Sequence, residues 1–120
     1  MAKVLVVDDE AAITDFVCNF LKRLKIATEK AGNGEAAIEA FKKTKPDWVF
    51  LDLKMPDMDG FEVIKELKKI DPNVKIIMIT GSEERESQTR AKKLGAVDYI
   101  TKPLDLEDLH QKIQTYILQQ

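Results

Sequence analysis

Three short runs of almost unbroken apolar residues constrain this chain more than anything else in it. They are Val4-Leu5-Val6-Val7, Trp48-Val49-Phe50-Leu51, and Val74 to Ile79, which is apolar except for Lys75. A strand without polar alternation must be covered on both faces, as in the middle of a parallel sheet. Ile26 to Ala31 alternates loosely and reads as a weaker, more peripheral strand; Val97 to Ile100 reads as a fifth.

Helical spacing fills the gaps. Ile13, Phe16, Val17, Phe20, Leu21 and Leu24 mark one face of a first helix laid on a core, with Asp9 as its expected N-cap. Cys18 falls among them and reads as a small core residue. Gly32-Asn33-Gly34 breaks the second strand, and Ala36 to Phe41 suggests a helix that ends before Pro46. Phe61, Val63, Ile64, Leu67 and Ile70 mark a third, stopped by Asp71-Pro72-Asn73. A fourth, from about Glu83 to Leu94, takes Ser82 as its cap and Gly95 as its stop, but only Ala91 and Leu94 offer it apolar anchorage. Leu106, Leu109, Ile113, Tyr116 and Ile117 define a fifth, capped by Asp105.

Strand and helix thus alternate five times with no linker, repeat or composition break, so residues 1–120 read as one domain. Such alternation predicts an α/β, flavodoxin-like doubly wound (βα)5 fold: a five-stranded parallel sheet, right-handed crossovers, helices on both faces. The pattern alone does not order the strands. The order 2-1-3-4-5 is chosen because it puts the weak second strand at an edge. A net charge of -2 argues against a nucleic-acid surface. Met1-Ala2-Lys3 runs straight into a strand with no signal peptide or membrane span, so the expected address is cytoplasmic.

In a parallel sheet all carboxyl ends share one rim. Asp8 and Asp9 follow the first strand, Asp52 the third, Thr80 the fourth and Lys102 the fifth. With the order 2-1-3-4-5 the crevice opens between strands one and three, setting the acidic pair beside Asp52. Pro56 and Gly60 force the chain to turn just beyond it. Three carboxylates in one pocket repel, and Lys102 is the one basic residue expected at the rim to offset them. A hard divalent cation resolves the repulsion. Mg²⁺, with Mn²⁺ as a substitute, suits oxygen ligands such as Asp9 and Asp52, and no His or Cys falls near enough to favour zinc. A carboxylate beside such an ion can attack a phosphoryl group and form an acyl phosphate. Lys102 and the ion would clamp two phosphoryl oxygens; the Thr80 hydroxyl or the Gly81 N–H would bond a third.

These residues carry a family likeness. The acidic pair Asp8-Asp9, Asp52 followed by Met55-Pro56 and Gly60, Thr80, and Lys102-Pro103 stand in the order and at the strand ends of a response regulator receiver domain. The chain resembles that family from Lys3 to about Gln119. The resemblance implies that Asp52 accepts phosphate from a histidine kinase or histidine phosphotransfer protein. It implies Mg²⁺ held by Asp9, Asp52 and the backbone carbonyl of Lys54, with Asp8 acting mostly through water. It implies that Thr80 turns inward onto the phosphoryl group, that Tyr99 rotates with it, and that the Lys102-Pro103 bond is cis. The signal would leave by the face of the fourth helix, fifth strand and last helix, toward a protein target or a covalently linked output domain. It implies a self-acting switch rather than an enzyme turning over external substrate, with phosphate later lost by hydrolysis; Lys54, two residues after Asp52, leaves that lifetime open. A monomer is expected, with dimerisation on phosphorylation as the alternative, and neither a nucleic acid nor a membrane as direct partner.

Simpler readings apply to several residues. Trp48 reads as packing, His110 as a partly exposed helix residue, and the charges from Glu83 to Lys93 as a solvated helix face. Two other function classes fit less well. A Mg²⁺ phosphatase working through an aspartyl phosphate would want a second Asp where Lys54 stands. A flavodoxin-like cofactor binder would want a phosphate-cradling loop where Asp8-Asp9-Glu10 stands.

Overall fold

The structure is a computed structural model and describes residues 3–81 and 85–118. Strands β1 (Lys3–Val7), β2 (Ala27–Ala31), β3 (Trp48–Asp52), β4 (Lys75–Thr80) and β5 (Ala96–Thr101) alternate with helices α1 (Ala11–Arg23), α2 (Gly34–Thr44), α3 (Gly60–Ile70), α4 (Arg85–Lys93) and α5 (Leu106–Ile113). All strand pairs are parallel and the order is β2-β1-β3-β4-β5.

Side chains along a strand point alternately to opposite faces, so each apolar strand feeds two cores. Leu5, Val7, Val49, Leu51, Ile76 and Met78 face α2 and α3, with Phe41, Ile64 and Leu67 against them. Val4, Val6, Trp48, Phe50, Ile77 and Ile79 face α1 and α5, with Val17, Leu21, Leu109 and Ile113 opposite. β2 has a single buried residue, Ala31, as its edge position allows.

Several local expectations need correction. The buried stripe of α1 is Thr14, Val17, Cys18 and Leu21; Phe16 is 40 % exposed. Ile13, Phe20 and Leu24 pack at the edge of that core, so of the six expected positions Phe16 alone turns to solvent. Leu106 is likewise 45 % exposed, standing at the first residue of α5 and outside its buried face. Asp9 does not cap α1. Glu10 holds the cap position without a side-chain bond, and its N–H donates to Asp8 Oδ1 at 2.9 Å. Asn33 and Asp59 cap α2 and α3, accepting from the N–H groups of Ala36 and Glu62. Asp105 caps α5 as expected. Gly95 follows α4 with φ +116°, a conformation an L side chain resists. Ser82, expected to cap α4, lies outside the described residues, as do Glu83, Glu84 and Gln119.

The last helix does not run uniformly to Ile117. Its final turn, Gln114–Leu118, widens to a π-helix, where Tyr116 donates to Asp98 Oδ2 at 2.7 Å and rests against Trp48. Asp98 owes its place to an irregularity in β5: Ile76 pairs with Ala96 but Ile77 with Asp98, and the skipped Val97 is exposed.

Candidate functional site

The carboxyl ends of β1, β3, β4 and β5 surround an open cleft of about 380 Å³ lined by Asp9, Glu10, Asp52, Lys54, Thr80, Gly81 and Lys102. Each side chain arrives there because an apolar strand ends. Asp8 directly follows β1, and its N–H donates to the Ala31 carbonyl at 3.2 Å, extending the β1–β2 pairing. Asp52 closes β3 and Thr80 closes β4; both are buried. The Lys102 N–H donates to the Thr80 carbonyl at 2.8 Å, which seats Lys102 at the same rim. The Lys102-Pro103 peptide bond is cis.

Lys102 lies between the buried acids. Its Nζ is 3.0 Å from Asp8 Oδ2, 3.5 Å from Asp52 Oδ1 and 3.3 Å from Glu10 Oε1. The contact with Glu10 is an aligned hydrogen bond. The contact with Asp8 is an ion pair out of line, so the buried Oδ2 accepts no hydrogen bond. Burial pushes the ammonium's pKa down, but Asp8, Asp52 and Glu10 outweigh it and the net shift is upward. For Asp52, burial raises the pKa first and the negative charge of Asp8 raises it further. Lys102 and the Lys54 N–H act the other way, and the carboxyl settles at about 6.

The oxygen donors fit a hard divalent ion. One carboxylate oxygen each from Asp8, Asp9 and Glu10 lie within 4.8 Å of one another. This trio does not include Asp52, which meets Asp8 through Lys102 instead. Lys54 reaches the cleft beside Asp52, and its backbone N–H is one of the influences that lower the Asp52 carboxyl's pKa. Glu10 is the residue to which sequence reasoning gave no role. Its signal was plain: a third consecutive acid after the first strand.

Thr80 also borders a void of about 10 Å³ beneath α4, walled by Leu53, Met78, Ser87, Gln88, Ala91 and Tyr99. Tyr99 is half-buried, with Lys92 Nζ 5.4 Å from its ring centre. The charges of α4 are not merely solvated. Arg90 stacks its guanidinium over Phe61 of α3 at 4.2 Å, an anchorage that apolar spacing does not reveal. His110 is exposed and meets Phe20 edge-on. Among the described residues, no helix is long and apolar enough to cross a membrane.

Known proteins share this family and fold. The family model described as response regulator receiver domain matches residues 4–114. The chemotaxis protein CheY of Thermotoga maritima is 43 % identical over 106 residues, covering 84 % of this chain and 85 % of the relative. Sporulation initiation phosphotransferase F of Bacillus subtilis is 34 % identical over 115 residues, covering 96 % and 93 %. Two other curated relatives are longer, and this chain spans 24 % of one and 51 % of the other. Among solved structures, the Borrelia burgdorferi complex of CheX, CheY, BeF₃ and Mg²⁺ aligns with a TM-score of 0.89 at 27 % identity, covering 97 % of this chain and 90 % of that one. A rim of acids with Lys102 among them on a 2-1-3-4-5 sheet, with a family match over nearly the whole length, makes this chain a member of the response regulator receiver domains.

Proposed function

We propose that this chain is a phosphorylation-activated switch in which Asp52 takes a phosphoryl group from a histidine kinase or a histidine phosphotransfer protein. The observation that carries this reading is the Lys102 ammonium, 3.0 Å from Asp8 and 3.5 Å from Asp52 at the edge of an open cleft. An Asp52 oxygen attacks phosphorus, the P–N bond of the donor phosphohistidine breaks, and the imidazole nitrogen leaves with the electron pair. The product is an acyl phosphate. Lys102 offsets charge on one phosphoryl oxygen, and the Thr80 hydroxyl or the Gly81 N–H bonds another. Asp8, Asp9, Asp52 and the Lys54 carbonyl are the groups we assign to Mg²⁺, with Glu10 beside them. When bound, the ion neutralises charge on the carboxylates and on the transferring group; Mn²⁺ is chemically equivalent there.

Output follows from what lies behind Thr80. Its movement toward the phosphoryl group enlarges the small void under α4, and Tyr99, on the wall of that void, turns inward to fill it. α4 and β5 shift together, and the face they form with α5 engages a protein target or a linked output domain. Hydrolysis of the acyl phosphate resets the switch.

Incubation with acetyl phosphate and Mg²⁺ should add one phosphoryl group, read by intact mass. Asp52→Asn should abolish it. Full labelling of that variant would reject Asp52 as the acceptor.

A further inference from the structure

The loop between Asp52 and α3 is fastened to a different element. Asp57, at its tip, accepts the Gly34 N–H on Oδ1 and the Glu35 N–H on Oδ2, each at 3.0 Å. These are the first two N–H groups of α2, which have no partner within the helix. Beside them Met58 rests on Gly34 so closely that a Cβ there would lie 2.9 Å from Met58 Cβ. The root of the loop is held by the Gly60 N–H on the Leu53 carbonyl at 2.7 Å. Root and tip are therefore both pinned, and Lys54 lies between them.

We propose that Asp57 is a positioning residue for metal binding at the phosphorylation site: by clamping the loop tip to the start of α2, it fixes the height at which Lys54 presents its backbone to Asp52 and to the ion. The inference rests on the function proposed above. Lys54 is the link, because it stands between the pinned root and tip of the loop and lines the cleft together with Asp52. Holding a neighbouring peptide group is how outer groups tune metal sites without touching the ion. Asp57 itself is exposed and takes no part in the chemistry.

The test is a Mg²⁺ titration of the whole chain without phosphodonor, followed by amide shifts at residues 8–10 and 52–54. Asp57→Ala should raise the Mg²⁺ dissociation constant by about tenfold, the low end for a group that orients a ligand. Asp57→Asn, which keeps one acceptor oxygen, should fall between that variant and the parent, and it serves if the alanine variant does not fold. In the parent, the Gly34 and Glu35 amide protons should track the titration of the Asp57 carboxylate. A purely structural role would lower the unfolding midpoint and leave the Mg²⁺ constant unmoved, and that result overturns the inference, as would Gly34 and Glu35 amides indifferent to Asp57. Failure of acetyl phosphate to label the parent would instead sink the proposed function, and the metal constant would still judge Asp57.

Discussion

Replacing Asp98 by Ala removes the acceptor that ties β5 to the end of α5. Asp98 Oδ2 accepts from Lys112 Nζ at 2.8 Å and from the Tyr116 hydroxyl at 2.7 Å, while Oδ1 accepts its neighbour's N–H from Tyr99, also at 2.8 Å. The two tertiary bonds reach a charged acceptor that is only 15 % exposed. Bonds of that kind contribute about 1.5 kcal/mol each. Freeing a partly buried carboxylate from desolvation returns some of this, so the net loss is about 2 kcal/mol. For a domain of this size that lowers Tm by roughly 6–12 °C. The effect must depend on pH. Burial pushes the Asp98 carboxyl up, but Lys112, Tyr116 and the Tyr99 N–H outweigh it and leave it below its ordinary 3.8. A carboxyl depressed on folding adds stability above its unfolded pKa and loses it as pH falls through the folded value. The gap between parent and Asp98→Ala should therefore be full at pH 7 and close progressively below the ordinary 3.8. Lys112 and Tyr116 are both shifted up, so they add stability that is lost only as pH rises through their folded values. Urea titrations can be read from Trp48, which is buried against Tyr116. A loss under about 0.5 kcal/mol at pH 7, the range of a featureless surface substitution, would refute the reasoning. So would a gap that does not narrow with acid.

Gly60→Ala places a Cβ 2.8 Å from the Asp52 carbonyl oxygen and 2.8 Å from Leu53 Cα, both backbone atoms that cannot swing aside. It should cost about 1–3 kcal/mol and slow labelling of Asp52, and a variant with parent stability and labelling rate would show the loop to be softer than drawn. Lys102→Ala leaves buried Asp8 and Asp52 facing each other without the ammonium between them. Mg²⁺ should then raise Tm by more in the variant than in the parent, and equal shifts would count against the ion's assigned place. Arg90→Ala removes the stack on Phe61 and should cost about 0.5–1 kcal/mol, with faster amide exchange in α4; unchanged exchange there would mean the stack does not hold the helix.

Reading the chain from residue to residue succeeded where the signal is local. An unbroken apolar run means a strand covered on both sides, and the polar residues just after it mark the rim, so sequence alone brings Asp8, Asp52, Thr80 and Lys102 to one end of the sheet. The caps at Asn33 and Asp59 were also written locally, one turn before the groups they bond, and were overlooked. The exposure of Phe16 was not legible, since it is as apolar as Val17 and Phe20, which do reach the core.

The sequence by itself determined the alternation of elements, the weak apolar pattern that suits β2 to an edge, and the acids that directly follow β1 and close β3, because each follows from the chain's own period and its breaks. Only the tertiary structure decided that Lys102 bridges Asp8 and Asp52, that Asp57 closes on Gly34, that Arg90 covers Phe61 and that Asp98 gathers Lys112 and Tyr116. Those pairs join residues on different elements. Their meeting depends on how strands register and helices seat, which the packing of the whole core sets and no single stretch of sequence encodes.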